Sequence, residues 1–183
     1  VSIHSEHPFL EPESSRDPGR RLRGRVGGVV SLWTSGVGTA RAGLTVSSLM
    51  VAGGEPSRVL ALLDPDSDLC EALEETKRAV VQLLRWPHHQ LADVFAGIAP
   101  APGGAFKQAE FEQTEWGPRL ASTTTWAGVV LEKLSTAGWS ALVTCTVEHV
   151  VLGEDPDPLV HRRGRYLPPS LPSSLPPSPG TSG

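Results

Sequence analysis

The side chains best placed for chemistry in this sequence are hydroxyls. In RAGLTVSSLM, Arg41 to Met50, Thr45, Ser47 and Ser48 interrupt a run otherwise fit for a core. As one strand, the segment turns Thr45 and Ser47 to one side and Val46 and Ser48 to the other, because strand side chains alternate. A row of hydroxyls and backbone groups on a sheet can hydrogen-bond the carbonyls and nitrogens of a flat heterocycle; a solvent-facing Thr/Ser row is the plainer alternative. The usual catalytic constellations are missing from the sequence: no Gly-x-Ser-x-Gly, no Walker-type loop, no His-Glu-x-x-His, and VGGVV is not a Gly-x-Gly-x-x-Gly turn opening a helix. His88 and His89 are adjacent and diverge, where chelation from a helix needs an i, i+4 pair. They read as a solvated helix start.

Such hydroxyls need a sheet beneath them, and the chain supplies one. VGGVVSLWTSG, a turn at Gly36 and Gly38, ARAGLTVSSLM and RVLALLD are short and rich in Val, Leu, Thr and Ser, which predicts strands. DPDSDLCEALEET changes to helical spacing behind an acidic first turn. AVVQLLR returns to strand, and WPHHQLADVFAG predicts a second short helix with Pro87 in its first turn, ending at Gly97. GRRLRGRV reads as a short basic helix or turn. IAPAPGGAF reads as loop, and FKQAEFEQTEWGP as polar and irregular. STTTWAGVVLEKL and GWSALVTCTVEHVVLG predict a long hairpin across STAG, and PLVHRRGRY a final strand. The expected class is mainly β: an antiparallel split β-barrel with two or three short helices, since closure removes exposed edges. The expected organisation is a flexible segment over 1–18, one domain over 19–166, and a disordered Pro/Ser-rich tail over 167–183.

Composition bounds the function. The chain has 183 residues and a formal net charge of −4, enough length for one core and the wrong sign for a nucleic-acid binder. Its two cysteines, Cys70 and Cys145, lie in no ligand spacing and read as unpaired, partly buried thiols. With no export signal or apolar span visible, a cytoplasmic protein is expected, with no nucleic-acid or membrane partner.

RAGLTVSSLM, then EPSRVLALLDPDSDLCEAL, AVVQLL, QLADVFAG and PLVHRRGRY, in that order from about Arg23 to Tyr166, resemble the flavin reductase family of FMN-binding split barrels. The resemblance implies that Gly43, Leu44, Thr45, Val46, Ser47 and Ser48 lie near an isoalloxazine ring. It places Leu63, Asp64, Ser67 and Leu69 near the ribityl-phosphate tail. It further implies FMN, or alternatively FAD, as cofactor, NADH or NADPH as co-substrate, a homodimer with flavin near the interface, and reduced flavin passed to a partner monooxygenase. The flavin does the redox chemistry, so no side chain is expected to be catalytic. Two other functions fit the same barrel: a flavin- or deazaflavin-dependent oxidoreductase acting on another small molecule, and a non-catalytic binding module.

Two segments depart from the family pattern. Where many relatives have an Asn-Lys-Ser-type run, this chain has Asp64, Pro65, Asp66, Ser67 and Asp68. A helix start favours an anion by roughly 0.3–1 kcal/mol, while a carboxylate about 6 Å from a phosphate opposes it by roughly 1–3 kcal/mol. The acids are therefore expected to face away and cap the helix, or Arg41 or Arg85 to offset them. The family's Gly-Asp-His segment, implicated in nicotinamide binding, finds its nearest match in Val147, Glu148 and His149, with Gly153 following. His149 and Tyr166 are the expected nicotinamide contacts. His161, Arg163, Arg165 and Tyr166 resemble the family's closing segment, or form a polar edge strand. No metal site is expected.

Overall fold

The computed structural model describes residues 18–169. The expected flexible start up to residue 17 and the Pro/Ser tail from residue 170 lie outside the described residues. The first half comprises α1 (Pro18–Val26), β1 (Gly28–Val29), β2 (Ser31–Ser35), β3 (Ala42–Val46), β4 (Met50–Ala52), β5 (Arg58–Leu63), α2 (Asp68–Thr76) and β6 (Arg78–Leu83). The second comprises α3 (His89–Phe95), β7 (Phe111–Gln113), β8 (Pro118–Leu120), β9 (Trp126–Ala137), β10 (Ser140–Val151), β11 (Val160–Arg162) and β12 (Arg165–Leu167).

Seven antiparallel strands form one sheet in the order β3-β2-β6-β9-β10-β5-β4. Its two edge strands, β3 and β4, are consecutive in the chain, so the sheet must roll round on itself. The result is the expected mainly β split barrel. No ladder joins β3 to β5. At this split the Ser48 hydroxyl donates to the Leu62 carbonyl and accepts the Leu62 N–H, each at 2.9 Å.

The barrel interior is apolar, with Trp33, Val46, Leu63, Val81, Val129 and Val143 among its buried residues, and α2 plugs it with Leu69 and Leu73. Those two leucines lie four apart and share a helical face. Ser67 caps α2 by accepting the Cys70 N–H. Lys77, in left-handed conformation, ends the helix with its N–H on the Leu73 carbonyl. Burying each leucine fully is worth about 1.5–3 kcal/mol. A second cluster lies outside the barrel wall, where α3 and β8 cover Val30, Leu32 and Leu84 with Ala92, Phe95 and Leu120. β2 is therefore buried on both faces, and its buried Ser31, Thr34 and Ser35 hydroxyls donate to the carbonyls of Val46, Pro118 and Arg78.

The structure departs from the expected elements where long-range partners intervene. VGGVVSLWTSG divides, because β1 leaves the barrel and pairs with β11, Gly28 opposite His161. RAGLTVSSLM ends as a strand at Val46, opposite Ser31. Ser48 is drawn to Leu62, and β4 then pairs with β5. Simple alternation past Val46 therefore does not hold. FKQAEFEQTEWGP is more ordered than expected, since β7 pairs with β8 across it. PLVHRRGRY folds back on itself: Arg163 (φ 52°) and Gly164 (φ 76°) make a two-residue turn between β11 and β12, positive φ at both positions being the type I′ signature. Leu167, assigned by sequence to the tail, pairs with Val160. His88 is 7% exposed, not solvated; its Nδ1 accepts the Arg85 N–H at 3.1 Å and its Nε2 meets the Ser122 hydroxyl at 3.1 Å.

Candidate functional site

The site builds from the end of β3. Leu44 packs inward against the barrel core and Val46 is buried in it. Gly43 backs onto Phe95: a Cβ there would lie 2.7 Å from the ring, so close helix packing alone requires the glycine. The Thr45 hydroxyl donates to the Ala92 carbonyl at 2.7 Å and fastens α3 to the sheet. Ser48 bridges to Leu62. Of the three hydroxyls, only that of Ser47 is exposed and unclaimed by a described residue. The N–H groups of Ser47, Ser48 and Leu49 also enter no backbone hydrogen bond among the described residues. The chain break at the split thus offers a hydroxyl and consecutive amides to a ligand, the donor set that a ring bearing carbonyls and nitrogens requires.

Two flanks meet this break. On one side the Ser48–Leu62 bridge brings in Leu63, buried at 1% exposure, and Asp64 beyond it. The Asp64 carboxylate accepts the Asp66 N–H, and the Ser67 hydroxyl donates to the Asp64 carbonyl at 2.7 Å. Ser67, not an aspartate, therefore caps α2, and Asp64, Asp66 and Asp68 stay exposed. Leu69 is fully buried, so Leu63 and Leu69 can offer a ligand only backbone. On the other side, a Cβ on Gly28 would lie 2.8 Å from the Ser47 carbonyl oxygen, and Gly28 pairs with His161, which pairs with Tyr166. The His161 and Tyr166 rings meet edge to face at 5.7 Å.

Asp93, one residue past the Ala92 carbonyl that holds Thr45, lies among these groups. Burial first, and then the nearby Asp93 carboxylate, hold the Tyr166 phenol well above its ordinary pKa. Burial and the nearby Arg23 guanidinium lower that of His161, with Asp93 acting in the opposite sense. Asp93, Gly28 and Arg23 were not singled out in the sequence; an acid on an otherwise ordinary amphipathic helix carries no signal that it will meet a tyrosine 73 positions later.

Other expected contacts lie apart. Arg41 precedes β3, donates from Nε to the Gly38 carbonyl and lies over the Phe106 ring at 4.8 Å, six residues or roughly 20 Å along the strand direction from Ser47. Arg85 bridges to Pro158, and its buried Nε has no partner among the described residues; it lies three positions, roughly 10 Å, from the His161 end of that segment. Neither arginine forms an ion pair with Asp64, Asp66 or Asp68. His149 is exposed on β10, stacked on Trp116 at 5.2 Å and tilted against Trp126 at 4.9 Å. Ser48 lies at the level of Leu62 and hence of Leu142, so His149 is seven residues or roughly 23 Å further along β10. Of the two expected nicotinamide contacts, the structure brings only Tyr166 toward Ser47. Cys70 and Cys145 are buried and unpaired; burial, reinforced by Glu132, pushes the Cys145 thiol up to about 12.

A split barrel with ligand-ready donors at its seam defines a ligand-binding β-barrel class, and the comparisons name the family. The model for the flavin reductase like domain matches residues 23–170. The chain belongs to that family. Similar solved structures include the flavin reductase PheA2, 22% identical with a TM-score of 0.75, covering 85% of this chain and all of the other. The NADH:FAD oxidoreductase SgcE6 of Streptomyces globisporus C-1027, solved with NAD and FAD fragments, is 18% identical with a TM-score of 0.76, covering 91% of this chain and 99% of the other. BorF, the flavin reductase component of a bacterial two-component tryptophan halogenase, is 21% identical with a TM-score of 0.70, covering 82% and 98%. No curated protein matches the chain.

Proposed function

We propose that the chain is an NAD(P)H-dependent flavin reductase with the flavin ring at the Ser47 seam. The observation that carries this reading is the free donor set, the Ser47 hydroxyl and the amides of Ser47, Ser48 and Leu49, in a chain of the flavin reductase-like family. Bound flavin would supply the redox chemistry, taking a hydride from the nicotinamide and passing the electrons on. The protein's part is to hold and orient. The Ser47 hydroxyl and seam amides meet the ring's polar edge, and the backbone from Leu63 to Ser67 borders the tail. Tyr166, beside Asp93, would form the opposite wall with His161.

A homodimer completes the reading. β4 is an edge strand whose residues are all exposed, Met50 at 57% and Val51 at 70%, and such an edge beside the seam invites a second copy. BorF's description as a component of a two-component halogenase supports a partner oxygenase that takes the reduced flavin, and the two free thiols suit a reducing, cytoplasmic setting.

The test is absorbance of the purified protein, then oxidation of NADH and NADPH with FMN, FAD and riboflavin added separately. Flavin-dependent oxidation without another acceptor is expected. A protein that binds no flavin and oxidises neither nucleotide would overturn the reading. Light scattering should show a dimer.

A further inference from the structure

Outside the barrel wall, α3 carries more apolar side chain than the wall covers. Ala92 and Phe95 are buried against it, whereas Leu91 and Val94 stay partly exposed. Those two, with the buried Leu120, line a cavity of about 490 Å³, within the roughly 300–1,000 Å³ of small-molecule sites. Another part of the lining comes from the loop after α3, and hydrogen bonds hold that loop in place. The Asp93 carbonyl accepts the N–H groups of Ile98 and Ala99 at 2.9 and 3.2 Å. The Gln108 amide donates to the Pro102 and Gly104 carbonyls at 2.8 and 3.3 Å. The space is therefore formed before any ligand arrives, and little ordering opposes binding.

The polar groups around this space select its ligand. His88 Nδ1 accepts the Arg85 N–H, so the neutral imidazole carries its proton on Nε2 and donates it to the Ser122 hydroxyl. Ser122 thus meets a donor where a nucleophile needs a base, and the cavity is built to bind rather than to cleave. Asp93 is the one carboxylate on the lining, and no Lys or Arg joins it among the described residues. A carboxylate offers about four acceptor positions, so Asp93 can serve a ligand while standing beside Tyr166. Gln108, its amide nitrogen engaged by the loop, has its carbonyl left to accept. A phosphate or carboxylate entering here would meet the Asp93 charge and no cation, which sets the cavity apart from a flavin or nicotinamide nucleotide site. An ammonium, with three N–H donors and no acceptor, matches these groups, and a flat apolar ring matches the leucines and Val94.

We propose that the cavity between α3 and the loop that follows it binds a small arylalkylamine, its ring on Leu91, Val94 and Leu120 and its ammonium on Asp93 and the Gln108 carbonyl. The site goes beyond the flavin reductase reading and does not depend on it.

Calorimetric titration of the full chain with 2-phenylethylamine, phenylacetate and butylamine tests the assignment. Phenylacetate keeps the ring and reverses the charge, while butylamine keeps the charge and lacks the ring; 2-phenylethylamine is expected to bind at least about tenfold tighter than either. Asp93→Asn should weaken its binding roughly tenfold. Ala109→Phe, which fills the cavity from its lining, should abolish binding once circular dichroism shows that the variant folds. Ala99→Leu, on a separate part of the lining, replaces it if it does not. Saturating FMN should leave the amine's affinity unchanged. Equal binding of the three probes, no binding of the amine at millimolar concentration, native affinity in Asp93→Asn or in the filled variant, or displacement of the amine by FMN would each overturn the proposal. A native chain that binds no flavin would count against the functional reading alone.

Discussion

The interior of the barrel and the layer outside its wall are both buried, yet they are held differently. Inside, α2 meets the sheet through Leu69, Leu73, Trp33 and Val143, where shape and volume carry most of the contact, with local pins where the Ser35 hydroxyl meets that of Thr76 at 2.8 Å and Trp33 Nε1 donates to the Ser31 hydroxyl at 3.1 Å. Outside, the wall is pinned by buried polar groups. The Gln82 amide donates to the Thr34 hydroxyl at 3.0 Å and its carbonyl accepts the Leu120 N–H, the Thr34 hydroxyl donates to the Pro118 carbonyl, and His88 ties Arg85 to Ser122. An apolar core tolerates repacking, whereas a buried polar network works only when every member is satisfied. The outer layer holds α3 and the segment leading into β8, and with them Asp93 and Tyr166. The site therefore leans on the less forgiving side of the wall.

Replacing Leu73 with Ala should have the largest effect, about 2–5 kcal/mol in urea unfolding, from lost burial and a cavity. It should leave flavin affinity in the folded fraction close to native; a large affinity loss would show that the interior reaches the site. Gln82→Leu should cost about 2 kcal/mol by stranding the Leu120 N–H. Unlike Leu73→Ala, it should loosen the outer layer first, seen as faster amide exchange in β8. Equal exchange throughout would erase the distinction between the two regions.

The two layers should also separate by pH. Burial, then the Arg85 charge, lowers the pKa of His88, and burial with Arg23 lowers that of His161. Above about pH 6.5 both imidazoles are neutral in folded and unfolded chains and contribute no pH dependence. As pH falls below that value the unfolded chain takes up protons that the folded chain refuses, so stability drops by at most about 1.4 kcal/mol per pH unit per group, until the lowered folded pKa is reached. Melting temperatures recorded from pH 7.5 to 5 should decline, and His88→Gln should flatten the decline. An unaltered slope would remove His88 from the account.

The smallest changes are expected at the seam, where two neighbouring hydroxyls differ. Ser48→Val should cost about 1 kcal/mol of stability, since both Leu62 backbone groups lose a partner. Ser47→Val should leave stability within about 0.5 kcal/mol, as an exposed position does, and weaken flavin binding roughly three- to twelvefold. If Ser47→Val left affinity unchanged, the ring would lie elsewhere.

Much of this was legible in the residues. The strands, α2 and α3, the hairpin turn at Gly138 and the order of the family motifs follow from hydrophobic period, turn residues and spacing, all local properties of the chain. Ser67 and Leu69 could be placed at the start of α2, although the cap was expected from the aspartates. Tertiary structure decided the rest. β3 stops at Val46 because the partner row on β2 ends and Leu62 captures Ser48. His88 is buried because Ser122, 34 positions later, closes over it. His149 and Arg41 stand away from the seam because strand register sets their places, and one strand in isolation carries no record of its neighbours' register. α1 and the β11–β12 hairpin, separated by more than a hundred residues, meet through the Arg163 N–H on the Gly24 carbonyl only after β1 leaves the barrel to pair with β11. Period and propensity act over a few residues, but a charge field or a shared hydrogen bond depends on distance in space, which the fold alone sets.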